Sequence, residues 1–297
     1  MSVATSSAVH TSENPIAIDG IEFVEYATRN PEQFGQFLKQ LGFAEIARHR
    51  SREVFLYRQN GINLIVNGDI DTVSGLALAP RDVVLSGVAL RVADAGYAHK
   101  TLVKQGAWPI QTQAGTMELN IPGVHGVGDS IIYLVDRYHD FSIYDVDFKY
   151  LETAPSTAEI PGIHCFGLAQ YVGSDRLGDW VDFYGQLFGF SVLPFGQSFG
   201  ILPRGVLLES PCKKFYLQLI PPLDGADVDV QWDESFARLA FGVPDVMAAV
   251  SRLKQQGVEF EERELIHVTD KGALTRDGFG GMNFEFVASR GAGGALG

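Results

Sequence analysis

The residues able to do chemistry are few, and their spacing is unhelpful at first sight. The chain has seven histidines and two cysteines, and none of them forms a metal-binding motif. Cys165 and Cys212 make no disulfide framework, so reduced structural thiols are expected. His10, His49, His99, His125 and His139 fall in the tail or the first half and read as surface or core histidines. Asp145 and Asp147 alternate in what reads as a strand, where two carboxylates on one side suit a solvated face better than an acid–base pair. The Gly278–Gly281 run lacks the Lys-Ser/Thr of a phosphate loop, and no Gly-x-Ser-x-Gly elbow occurs. Trp180, Phe183 and Tyr184 recur at helical spacing and read as core.

Bulk properties narrow the partners. A net charge of -13 over 297 residues argues against nucleic acid and anionic membrane surfaces, both of which reward Lys and Arg. No apolar run is long enough to span a bilayer, and no signal peptide is read at the start, so a cytoplasmic protein is expected.

The elements that would position a site form a repeat. Four segments share one grammar: an apolar strand, an amphipathic helix ending at glycine, then further strands. The first has a strand over Ile21–Ala27 and a helix over Pro31–Leu41, with Asn30 as N-cap and Gly42 as the stop. Strands at Val54–Tyr57 and Ile62–Val66 follow, joined through the hairpin signal Asn60-Gly61. The second has Val88–Val92, a helix over Tyr97–Lys104 stopped by Gly106, and a strand over Ser130–Val135. The third has Phe166–Val172, a helix closed by Gly189 and a strand over Phe215–Ile220; the fourth has Leu239–Val243 and a helix over Val246–Lys254 closed by Gly257. This predicts an α+β fold of two domains, each a pair of βαβββ modules forming a half-open barrel. The divisions are a disordered tail over 1–15, domains over 16–151 and 162–290, a Pro/Ser/Thr-bearing linker over 152–161, and a Gly/Ala tail over 291–297. Sheet edges in such barrels leave room for a homodimer.

Long stretches resemble bacterial 4-hydroxyphenylpyruvate dioxygenase, of the vicinal-oxygen-chelate superfamily. They run from His49 to Asn67, Thr116 to Gly128, Ile132 to Tyr138, Ser142 to Phe148 and, after the linker, Asp179 to Phe190 and Asn283 to Phe286. The resemblance implies an oxidoreductase of aromatic amino acid (tyrosine) catabolism. Its second barrel would hold Fe(II) by two histidines and a glutamate, leaving positions open for a 2-oxo acid and dioxygen. The product would be homogentisate.

Carried over residue by residue, the resemblance places Glu285 at the glutamate ligand, Gly167 at the first histidine and Arg238 at the second. Two of three ligands are therefore absent, and a guanidinium repels a metal cation. His164 could replace one only on a bulged strand, since positions three apart face opposite sides; His267 is a remote second candidate. Gln218 and Asn283 are expected to face the ligand. The first barrel carries no ligand set either, with Glu22, Gly87 and Leu134 at roughly equivalent positions.

Three readings follow. The first is a diverged family member with a degenerate metal site and no firmly expected cofactor, binding a small aromatic or 2-oxo acid in the second barrel. There Arg238 either forms a structural plug with Glu285 or clamps an anion. The second is an active Fe(II) dioxygenase with rearranged ligands. The third is a non-catalytic structural or partner subunit.

Overall fold

Each helix of the repeat is set by an apolar stripe and stopped where a glycine turns the backbone: Gly42, Gly106, Gly189 and Gly257 all have positive φ, from +78° to +103°. The computed structural model describes residues 9–70, 83–111, 118–139, 141–152, 159–173, 175–194, 200, 205–222, 234–264, 266–276 and 282–289. Residues 1–8 of the expected first tail, the expected 291–297 tail, most of the 152–161 linker and the Gly278–Gly281 run lie outside the described residues; residues 9–15 are described, with Asn14 Oδ1 accepting from the Ile18 N–H at 2.7 Å.

The first half runs β1 (Ile18–Thr28), α1 (Pro31–Gln40), β2 (Ala44–His49), β3 (Val54–Gln59), β4 (Ile62–Asn67), β5 (Val83–Val92), α2 (Ala95–Lys104), β6 (Gly123–His125), β7 (Ile131–Val135), α3 (Ile143–Asp147) and β8 (Phe148–Tyr150). The second runs β9 (His164–Tyr171), α4 (Leu177–Phe188), β10 (Ser191–Val192), β11 (Val206–Glu209), β12 (Tyr216–Ile220), β13 (Ser235–Val243), α5 (Val246–Gln255), β14 (Gly272–Leu274) and β15 (Asn283–Ala288). The sheets are ordered β6-β7-β5-β1-β4-β3-β2-β8 and β14-β15-β13-β9-β12-β11-β10, so the second repeats the first strand for strand, with β8 added at one edge. Within modules the pairings β1·β4, β5·β7, β9·β12 and β13·β15 are parallel; β1·β5 and β9·β13 join modules antiparallel. This is the paired-module α+β architecture that the repeat predicts.

Helices α1, α2, α4 and α5 and one face of each sheet share a single apolar core. It crosses between the halves through the ring pairs Tyr26–Phe284 at 5.8 Å and Phe43–Phe241 at 5.6 Å. The other face of the first sheet has its own apolar cluster, including Phe23, Leu56, Ile65, Val135 and Tyr144.

Two local expectations are corrected. Asp145 and Asp147 lie on α3, not on a strand: Ser142 and Asp145 form a reciprocal capping box that starts a helical turn, overriding the alternation. Asn30 sits at the N-cap of α1 but makes no side-chain cap bond; Pro31, which needs no N–H partner, opens the helix.

Candidate functional site

Side chains two apart on a strand share a face. Phe241, Phe284 and Phe286 enter the shared core, so Arg238 and Ala240 of β13 and Glu285 and Val287 of β15 face the opposite way. On that side Phe166, Leu207, Tyr216, Ala240 and Val287 form a small apolar cluster. Into it project three polar groups from three strands. Arg238 Nε donates to Glu285 Oε2 at 2.9 Å, and its Nη2 donates to Gln218 Oε1 at 3.3 Å. The side chains of Arg238 and Glu285 are 8% and 3% exposed. A carboxylate this deeply buried is costly without a cation, which the guanidinium supplies. The remaining guanidinium N–H groups have no partner among the described residues. Gly200 lies against the same carboxylate: a Cβ placed there would come within 2.4 Å of Glu285 Oε1.

The arrangement therefore brings Arg238, Glu285 and Gln218 together. Asn283 is the register partner of Arg238, but its amide is engaged by the Thr275 carbonyl at 2.8 Å. The register of β9 against β13 does shift between Ala240 and Phe241, the kind of irregularity that could turn His164 toward the site. The His164 ring lies over Gly242, with Nδ1 3.1 Å from the Gly162 carbonyl and Nε2 3.1 Å from Ser289 Oγ. Its hydrogen bonds are with those residues, not with Arg238 or Glu285. His267 is exposed in the irregular segment before β14.

These residues do not fit an iron centre of two histidines and a carboxylate. At position 167 a Cβ would stand 2.3 Å from the Tyr216 carbonyl oxygen, because β9 and β12 approach too closely there for any side chain. At 238 stands a cation already committed to the glutamate. Among the described residues no group of three or more His, Cys, Asp or Glu could hold a metal ion. The apolar wall of Phe166 and Tyr216, with ring centroids 5.1 Å apart, and the backbone constraint at Gly167 were invisible to period-two reading, which a bulge interrupts.

The first half has a different polar group at the matching place. Counting from Gly87 as from Arg238, the strand register places Tyr133, not Leu134, at the equivalent of Glu285; Leu134 points into the shared core. The Tyr133 hydroxyl donates to Glu25 Oε2 at 3.1 Å and Asn67 Nδ2 to Glu25 Oε1 at 2.9 Å. Burial raises the Glu25 carboxyl above the usual carboxylate range, with these hydrogen bonds opposing in part. The fold favours the neutral acid more than the unfolded chain does. Its stabilisation is complete below the unfolded value and is lost as pH rises through the raised folded value. Glu25→Gln is thus expected to stabilise the chain at neutral pH and flatten its stability between weakly acidic and neutral pH in urea titrations. An unchanged pH profile would contradict this.

Comparisons with known proteins agree with the paired-module fold. Residues 12–149 match the family described as "Hydroxyphenylpyruvate dioxygenase, HPPD, N-terminal", and residues 164–286 match the "Glyoxalase/Bleomycin resistance protein/Dioxygenase superfamily". The chain is 38% identical over 258 residues to a 4-hydroxyphenylpyruvate dioxygenase of Pseudomonas sp. strain P.J. 874, covering 84% of this chain and 72% of that protein. Among solved structures it resembles a xylose isomerase-like TIM barrel/4-hydroxyphenylpyruvate dioxygenase fusion protein (TM-score 0.73, 24% identity), covering 91% of this chain and 49% of that one. It also resembles a mutant of 4-hydroxymandelate synthase from Streptomyces coelicolor (TM-score 0.72, 18% identity), covering 94% of each. No helix among the described residues is long and apolar enough to cross a membrane.

Proposed function

We propose, from the premise that this chain belongs to the 4-hydroxyphenylpyruvate dioxygenase family, that its second barrel binds a small aromatic or 2-oxo acid through Arg238, with the family's iron site degraded. The observation that carries this is the buried guanidinium held by Glu285 at 2.9 Å, with N–H groups that have no partner among the described residues and an aromatic wall beside it. A guanidinium keeps a fixed positive charge where the family places its metal, and its planar fork matches a carboxylate. Phe166 and Tyr216 offer ring faces for an aromatic body. Gln218 would orient the guanidinium, while Glu285 holds its charge in place. Asn283, the register partner of Arg238, would contribute at the rim. We read the chain as two domains, 16–151 and 162–290, with the ligand in the second.

Metal content per chain, before and after anaerobic Fe(II) loading, tests this together with homogentisate formation from 4-hydroxyphenylpyruvate. The proposal expects no retained iron and no homogentisate. Near-stoichiometric iron that survives desalting, with product, would replace it by the active Fe(II) dioxygenase.

A further inference from the structure

A second recess lies where the two halves meet, lined by Cys165 and Phe215 on the side of the second sheet opposite the Phe166–Tyr216 wall of the Arg238 pair. Its volume is about 160 Å³, and it is lined from the first half by β1, the β3–β4 hairpin and Arg91 of β5, and from the second by the start of β9 and by Lys214 and Phe215. Two ion pairs stand in its wall. Arg91 Nε donates to Glu22 Oε2 at 2.6 Å, and Lys214 Nζ donates to Asp19 Oδ1 at 2.6 Å, the latter joining the halves.

The hydrogen-bonding capacity left over is one-sided. Glu22, 3% exposed, is already served by Arg91 on one oxygen and by Asn63 Nδ2 on the other at 3.2 Å. Arg91 uses only Nε; its terminal nitrogens have no hydrogen-bond partner among the described residues, and the guanidinium lies over the Tyr138 ring at 5.4 Å. The Lys214 ammonium uses two of its three N–H groups, both on Asp19. Both cations line the recess and keep N–H groups with no partner among the described residues, while Asp19 and Glu22, which line it too, each already hold one of them, and Ile21, Ile62 and Phe215 supply an apolar wall.

We propose that this cleft is a second small-molecule site, for a monocarboxylate with a short apolar body, held between Arg91 of one half and Lys214 of the other. A ligand bridging both halves stabilises their association, because it binds only the docked arrangement. The site is independent of the Arg238 reading.

The test uses the whole chain and isothermal calorimetry with 3-methylbutanoate, and with 3-methylbutanamide as the uncharged control. The acid binds and the amide does not. Lys214→Met weakens the acid by about tenfold or more, the loss of one charge-assisted contact, while Lys214→Arg retains binding. Arg91→Met has the same effect as Lys214→Met if it folds; Lys214, half-exposed, is the safer position and decides the matter alone. Equal binding of acid and amide, or an unchanged affinity in Lys214→Met, would overturn the proposal.

Discussion

Arg238→Met is expected to destabilise the chain by about 3–5 kcal/mol, the usual cost of removing one partner from a buried ion pair. Glu285 is 2% exposed, so the carboxylate cannot recover its cation from solvent. Gln218 loses a donor as well. Replacing both members, Arg238→Met with Glu285→Leu, is expected to return most of the loss, since well-packed apolar residues of similar size often replace such pairs at little cost. Urea denaturation of the two single variants and the double variant gives the coupling directly. A small effect in the single variant would mean that the pair is neither a plug nor a clamp. The cycle also separates those two roles. A plug is dispensable once both members go, whereas a clamp cannot be replaced by apolar residues without abolishing acid binding.

Gly167→Ala is expected to cost about 3 kcal/mol, at the upper end of what overpacking a dense interior costs. The obstruction is backbone: the added methyl would stand 2.3 Å from the Tyr216 carbonyl, and β9 and β12 would have to part where they are hydrogen-bonded in register. Gly167→His meets the same obstruction with more atoms. Installing histidines at both 167 and 238 is therefore expected to lower the thermal midpoint without raising iron retention. Full stability in Gly167→Ala would show that the strands can separate, and that loss of the histidine alone accounts for the difference from the family.

The repeat, the helices and their glycine stops were legible because they depend on local pattern: a stripe of apolar residues, then a residue free to take positive φ. The Asn60-Gly61 hairpin followed from the same rule, and both residues have positive φ. The short edge strands β6, β10 and β14 were not legible, since two or three residues carry no period. The partners of Arg238 were partly legible. A buried carboxylate demands a cation, so Glu285 could be expected on physical grounds once the two strands were taken as neighbours. That Gln218 would complete the group depends on β12 lying two strands away, across β9, a matter of topology. The Glu25–Tyr133–Asn67 group in the first half escaped notice because bulges in β1 shift its register and defeat counting by twos.

An aromatic or 2-oxo acid is expected to bind at Arg238 without metal. Calorimetric titration of 4-hydroxyphenylpyruvate into chelator-treated protein tests it most directly, beside Arg238→Lys, which keeps the charge but loses the fork. Saturable binding to the unaltered chain that weakens in Arg238→Lys is the predicted result. Binding that appears only after anaerobic Fe(II) loading, and is indifferent to Arg238→Lys, would place the metal, not the guanidinium, at the centre of the site.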